Sequence, residues 1–264
     1  MIFDKQLISF FLTLLLTYTS FSQNNFIKND GQYPKKVFSK ANFSQGAFFV
    51  ETGGFTYNLF DKNKLRDIHE GFSEDSYIDA HSYKVSFINS LKSNEIDYID
   101  AANYYENYYI GSKENWVENV KTYNKIKRPI YEGIFYVIYF EGNNIKYDIH
   151  VEKNHNPGSI QIEYNYVDDI KLTENNTIIL KASFTEVEEQ IPEVYQIING
   201  KKIYVDCKYQ LENNVVSFSF PNGYDKNYDL VIDPELVFST YSGSSADNFG
   251  YTATCLLYTS DAAD

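Results

Sequence analysis

The sequence predicts an all-β protein, an antiparallel sandwich-like domain with one short helix. Apolar and polar side chains alternate with a period of two through many short runs, turn residues separate those runs about every ten positions, and no long segment follows the helical period of 3.6. Composition agrees: 17% of the 264 residues are aromatic, with 25 Tyr and 20 Phe, and aromatic and β-branched side chains suit pleated, half-buried surfaces.

The pattern is clearest from Pro129 to Tyr166. Ile134 to Phe140 is an unbroken apolar run, expected to be a strand buried on both faces. After the turn Glu141-Gly142-Asn143-Asn144, residues Ile145, Tyr147, Ile149 and Val151 alternate with Lys146, Asp148, His150 and Glu152. His150 is therefore expected on the solvent face. Beyond the breaker Asn154 to Gly158, alternation resumes through Ile160, Ile162, Tyr164 and Tyr166.

Upstream, Asn29-Asp30-Gly31-Gln32 reads as a turn. Phe48, Val50, Gly53-Gly54, Phe55, Tyr57 and Leu59 read as a hairpin, because paired glycines supply the positive φ that tight hairpin turns require. Residues 61–80 are charged and weakly periodic, which predicts a long surface loop, and Tyr83, Val85 and Phe87 predict the next strand. Ser112 is placed to cap a short helix over Lys113 to Val120, with Trp116 and Val120 four apart on its inner face.

Downstream, Ile178-Ile179-Leu180, Ile203 to Leu211 and Val216 to Phe220 continue the short-strand pattern, with turns at Asn175-Asn176, Asn199-Gly200 and Asn213-Asn214. Cys207 shares a face with Ile203, Val205, Tyr209 and Leu211, which makes it a small buried apolar residue. Tyr228 to Pro234 reads as a closing strand that ends at a proline, since proline cannot extend a central ladder.

Both ends of the chain read differently. Lys5 precedes the apolar segment Leu7 to Tyr18, too short for the roughly 20 residues a membrane helix needs, and small residues at Ser20 and Ser22 flank Phe21. Residues 1–22 are accordingly expected to be an export signal peptide, with the mature chain starting at Gln23 and holding no transmembrane span. Cys255 to Asp264 matches the conceptual translation of a sequencing-library adapter, which implies that native sequence stops near Thr254.

The formal net charge is −13 at pH 7, or −11 without Asp261 and Asp264. So acidic a chain argues against a nucleic-acid partner, which draws much of its affinity from clustered Lys and Arg. The longest basic run, Lys125-Ile126-Lys127-Arg128, is expected to be a solvated strand edge. Roughly 230 mature residues suffice for one large β-domain or two lobes.

Catalytic signatures are thin. His69, His81, His150 and His155 are scattered, and no His-Glu-x-x-His, Gly-x-Ser-x-Gly or phosphate-binding glycine loop is present. Acid pairs Asp168-Asp169 and Glu188-Glu189 would serve glycosidase chemistry only if two carboxylates faced one another across a cleft. As neighbours on a turn they are expected to be solvated. No cofactor is expected. Calcium is the weak alternative, near Asp225, Asp229 or Asp247, because hard cations take oxygen ligands. Tyr104, Tyr105, Tyr108, Tyr109 and Trp116 are the candidate ligand contacts, as a row of aromatic rings can stack on sugar faces. Packing within a tyrosine-rich fold is the competing role.

Several segments in order carry a family resemblance: Asn29-Asp30-Gly31-Gln32, Asn107-Tyr108-Tyr109-Ile110-Gly111, Tyr131-Glu132-Gly133-Ile134, Lys146-Tyr147-Asp148, Ile191-Pro192-Glu193-Val194-Tyr195-Gln196, Leu230-Val231-Ile232-Asp233-Pro234, and Phe238 to Asp247. Together they resemble the N-terminal β-rich domain of large secreted Bacteroidetes surface proteins. The resemblance implies that residues 23–234 form that domain. A β-propeller repeat region would start within 235–254, poorly packed in so short a piece, and a gliding-motility-associated sorting domain for type IX secretion would follow. It implies no catalytic residue. Phe135 stands where the family commonly has Asp after Gly-Ile, and Lys153-Asn154 where it has Pro-Gly, so any role of that Asp is not transferred.

The expectation is thus a non-enzymatic structural or adhesion module of an exported, multidomain, cell-surface protein, with a surface glycan or protein, or later domains of its own chain, as partner. The alternative is a carbohydrate-binding or carbohydrate-degrading surface protein.

Overall fold

Two-residue alternation governs the chain almost throughout residues 24–239, the part that the computed structural model describes. Five strands open the fold: β1 (Phe26–Lys28), β2 (Val37–Phe43), β3 (Gly46–Glu51), β4 (Gly54–Phe60) and β5 (Ala80–Phe87). The middle supplies β6 (Asp97–Tyr108), β7 (Val117–Tyr131), β8 (Ile134–Glu141), β9 (Asn144–Val151) and β10 (Gln161–Asn165). There follow β11 (Asp169–Leu172), β12 (Ile178–Ala182), β13 (Thr185–Glu189), β14 (Glu193–Ile198) and β15 (Lys201–Tyr204), then β16 (Lys208–Glu212), β17 (Val215–Ser219), β18 (Leu230–Asp233) and β19 (Leu236–Ser239).

Fifteen strands form one hydrogen-bonded sheet in the order β15-β14-β18-β9-β8-β7-β1-β2-β3-β4-β5-β10-β17-β16, with β6 attached to β7. Every described pairing is antiparallel. β7 is the branch point. β6 follows one of its edges from Val117 to Lys127, so β1 at Thr122–Tyr123 and β8 from Lys125 onward must share the other edge. The sheet thereby divides into two leaves that fold over one another.

The leaves meet through aromatic rings. Phe55 lies 5.2 Å from Tyr147 across the core, Phe87 stacks on Tyr136 at 5.6 Å, and Phe26 meets Phe140 at 5.0 Å. Each large buried side chain contributes roughly 1.5–3 kcal/mol through its removal from water. A second sheet, β11-β12-β13-β19, packs into the same core. The sandwich-like all-β class read from the sequence is thus the observed one.

Local departures have identifiable causes. The expected helix over Lys113 to Val120 is one 3-10 turn, Lys113–Asn115, because Val117 onward pairs with β6. The helix of the fold lies instead at α1 (Lys62–His69), inside the expected loop, where Asp61 accepts bonds from the Asn63 and Lys64 amides. Nothing on α1 is buried, so it lacked the apolar stripe by which a helix is recognised.

β8 is not buried on both faces: Ile134, Tyr136 and Ile138 point into the core while Phe135, Val137 and Tyr139 are half-buried outside. His150 is half-buried rather than exposed, its ring stacked on Phe135 at 4.9 Å, and burial beside Lys127 pushes its pKa down. Arg128 is no solvated edge. It is 2% exposed, lies 4.0 Å over the Phe38 ring and donates to the Ser93 carbonyl at 2.7 Å. The run Ile203 to Leu211 is two strands, β15 and β16, with Cys207 buried between them.

The chain also does not leave the fold at Pro234. Leu236–Ser239 pairs with β13 as β19, and Phe238 packs 5.5 Å from Phe43, so the poor packing expected of 235–254 does not hold there. The leader, the rest of the proposed repeat start and the adapter-like tail lie outside the described residues.

Candidate ligand-binding surface

β6 is the outermost strand of its leaf, and none of its twelve residues is buried. One edge is hydrogen-bonded to β7, and among the described residues no strand pairs with the other. The sequence permits this because Asp97, Asp100, Asn103, Glu106 and Asn107 interrupt the apolar positions, and two irregularities break its register with β7. Polar side chains and bulges are the means by which proteins keep such edges from pairing indiscriminately.

All five candidate aromatics lie on this strand or its connection to β7. The Tyr104 hydroxyl donates to Asn25 Oδ1 at 2.8 Å while its ring stays exposed. Tyr105 is 59% exposed. Tyr108 is tied inward: its hydroxyl donates to Glu106 Oε2 at 2.6 Å, and Tyr33 completes the chain by donating to Tyr108 at 2.6 Å. Burial and the Glu106 acceptor push the Tyr108 phenol far above its ordinary range, so it remains a neutral donor. Tyr109 and Trp116 meet edge to face, 4.8 Å apart at 67°, and Ile110 beside them is 69% exposed.

The structure therefore brings the five into one neighbourhood, as two groups. Tyr104 and Tyr108 anchor the strand to the body, whereas Tyr105, Tyr109 and Trp116 face outward. The ring pairs Tyr33–Tyr108 and Tyr109–Trp116 lie at 79° and 67°, so neither offers the flat platform expected for stacking on a sugar.

A cleft of about 420 Å³ lies at the base of the strand, lined by residues that include Lys28, Asn29, Tyr33, Lys35, Phe38, Ile96 and Tyr98. Its volume falls in the range of roughly 300–1,000 Å³ typical of small-ligand sites. One wall is the Asn29–Gln32 turn, which the Asn29 side chain holds together. Its Nδ2 donates to the carbonyls of Tyr33, Pro34 and Val37, and its Oδ1 accepts from the amides of Gly31 and Tyr33. The other wall is Tyr98, whose hydroxyl donates to the Phe38 carbonyl at 2.7 Å. Nothing in the local sequence brings Asn29 and Tyr98 to one cleft; β1 and β6 both pair with β7, and the Tyr98 hydroxyl reaches β2.

Sequence reasoning missed a second cluster. Tyr139, Lys146, Asp148, Glu193, Tyr195 and Asp233 come from separate segments that carry the family resemblance or from β8. They meet on the outer face of the β8-β9-β18-β14 leaf. Burial, together with the neighbouring Asp233 charge, pushes the Asp148 carboxyl up to about 7, against the Tyr139 bond and Lys146, which favour ionisation. Lys146 Nζ lies 3.3 Å from Asp233. A carboxyl raised in this way keeps its proton up to near neutrality. They do not face one another across the gap that glycoside hydrolysis needs.

Other candidates are engaged structurally. Glu189 is buried and Glu188 half-buried on the opposite face of β13, so this pair is not the solvated turn expected, while Asp168 and Asp169 are exposed. His81 Nδ1 accepts from both the Ser183 hydroxyl at 2.8 Å and the Ser183 amide at 3.3 Å, a tie between β5 and the β12–β13 turn that occupies the hydroxyl. Asp225 caps the Asn227 amide and Asp229 accepts from the Lys153 amide. Asp247 lies outside the described residues. Among the described residues there is no group of three or more His, Cys, Asp or Glu suited to a metal ion. No described helix is long and apolar enough to cross a membrane.

Fold and surface together define an all-β antiparallel domain with an exposed aromatic edge and a cleft at its base. The chain belongs to the family described as a domain of unknown function, DUF7948, whose model matches residues 26–235. Neither the curated proteins nor the solved structures give a match.

Proposed function

We propose that the domain is a non-enzymatic structural or adhesion module of an exported, multidomain cell-surface protein, and that β6 with its following turn is the surface that holds a partner. The observation that carries this reading is a twelve-residue outer strand with no buried residue, on which Tyr105, with Tyr109, Ile110 and Trp116 beyond its end, stays exposed. Contiguous exposed apolar groups rimmed by polar ones are characteristic of interaction sites, and aromatic side chains supply the largest contact energies there. The leader-like residues 1–22 support export. The order of motifs from Asn29 to Asp247 supports a place in Bacteroidetes surface proteins that continue into a β-propeller region and a gliding-associated type IX sorting domain.

Carbohydrate binding is the second reading, and the cleft beside Tyr33, Phe38 and Tyr98 favours it. Hydrolysis draws no support from the contacting pair Asp148 and Asp233. A glycan array and a parallel cell-adhesion assay, run on the full chain and on the Tyr105→Ala/Tyr109→Ala/Trp116→Ala variant, test both readings. Adhesion that the triple substitution lowers at least tenfold supports the module reading. Selective glycan binding that survives it, but is lost in Tyr98→Ala, replaces that reading with the second, and absence of any adhesion overturns the first.

A further inference from the structure

Glu189 ends β13 at the centre of the core, 1% exposed. Its Oε1 accepts from the Tyr209 hydroxyl at 3.0 Å and the Tyr147 hydroxyl at 3.3 Å, and its Oε2 accepts from the Tyr164 hydroxyl at 2.5 Å. These donors stand on β16, β9 and β10, so one carboxyl joins both leaves of the large sheet to the small one. From β4 and β5, Tyr57 and Tyr83 stack at 4.9 Å within the same field of charge. Both are fully buried, and among the described residues neither hydroxyl has a hydrogen-bond partner.

Among the described residues, every titratable group that acts on this carboxyl is neutral. The groups facing it are the phenols of Tyr57, Tyr83, Tyr147, Tyr164 and Tyr209, with the Cys207 thiol beside Tyr209. An ionised carboxylate taken out of water without a cation costs several kcal/mol. Three phenol donors offset part of that cost, but burial is the largest influence and favours the protonated form. Protonation also gives the carboxyl an O–H that the Tyr209 oxygen can accept, since the Tyr209 hydroxyl has the Gln190 carbonyl at 3.1 Å as another acceptor.

We infer that Glu189 is a neutral carboxylic acid in the folded domain, a latch that joins the three layers, and that its deprotonation loosens β13 together with β19. Glu189 pairs in register with Leu236 of β19, so the latch sits at the start of the last described strand. The sign follows from linkage. The fold retains a proton that the unfolded chain releases, so stability falls as pH rises from the ordinary glutamate value toward the folded one.

The experiment uses the full chain carrying Asp148→Asn, which removes the other raised carboxyl, with and without Glu189→Gln. Infrared spectroscopy at neutral pH should show the carbonyl stretch of a protonated carboxyl, absent once Glu189 is Gln. Hydrogen exchange of amides 185–189 and 236–239 should accelerate by about tenfold per pH unit beyond the intrinsic chemical change. The Glu189→Gln chain should show only the intrinsic change. No protonated band at neutral pH, or equal exchange slopes in the two chains, overturns the inference. Stability that depends instead on added sodium or potassium, again without the band, overturns it in favour of a buried cation. If the Gln variant does not fold, the band in the Asp148→Asn chain decides.

Discussion

Replacing Asp148 by Asn should change how the stability of the domain depends on pH. In the fold, burial and the Asp233 charge raise the Asp148 carboxyl to about 7, whereas an aspartate in an unfolded chain titrates near 3.9. The folded state therefore holds a proton that the unfolded state has released, and stability declines as pH climbs between those values and levels off above about 7. At about 1.36 kcal/mol per unit the full difference is roughly 4 kcal/mol. The side chain is partly open to solvent and pairs with Lys146 and Tyr139, so about half of that, near 2 kcal/mol, is the expected effect. Asn keeps an acceptor for Tyr139 and a donor for Asp233, so the variant should match the parent near pH 4 and exceed it by about 2 kcal/mol near pH 8. Guanidinium unfolding at several pH values measures this. Parallel profiles for parent and variant would refute the account of a protonated Asp148.

Two further outcomes follow from buried groups. Arg128→Met keeps the apolar stem of the side chain but strands the Ser93 and Glu51 carbonyls that the guanidinium serves. A cost of about 2–4 kcal/mol is expected in denaturant melts, and a change under about 0.5 kcal/mol would show that the Phe38 stack and these bonds contribute nothing net. The Cys207 thiol is pushed up to about 12 by burial and the nearby Asp206 charge, so alkylation mapped to Cys207 by mass spectrometry should be slow in the native protein near pH 8 and fast in denaturant. Equal rates in both conditions would place the thiol outside the core.

The strand content was legible because alternation is a one-dimensional record of a two-faced sheet. Ile145, Tyr147, Ile149 and Val151 all point inward as their spacing required, and Phe55 and Tyr57 fill the core beside the hairpin that Gly53-Gly54 announced. Legibility failed where a side chain's surroundings come from distant strands. Glu189 looks like half of a solvated acid pair in sequence, yet its three phenol donors lie 20 to 42 residues away. Arg128 sits in a basic run, but its ring and carbonyl partners belong to β2, β3 and the segment before β6. The candidate aromatics were found by density alone. Their division into anchoring and outward-facing members depends on Asn25 and Tyr33, which no local pattern links to β6. The 3-10 turn at Lys113–Asn115 and helix α1 show the weakness of capping signals taken without an apolar stripe to bury.

The last pairing among the described residues bears on how the family unit is best produced. The matched region stops at residue 235, one position before Leu236 begins the strand that pairs with Glu186 to Glu189 in the small sheet. A polypeptide ended at that border would shed its outer ribbon, leave Phe43 and Tyr57 without the Phe238 ring, and present a bare hydrogen-bonding edge ready to recruit strands from other molecules. Carrying the reading frame past Ser239 is the simple safeguard against insoluble material.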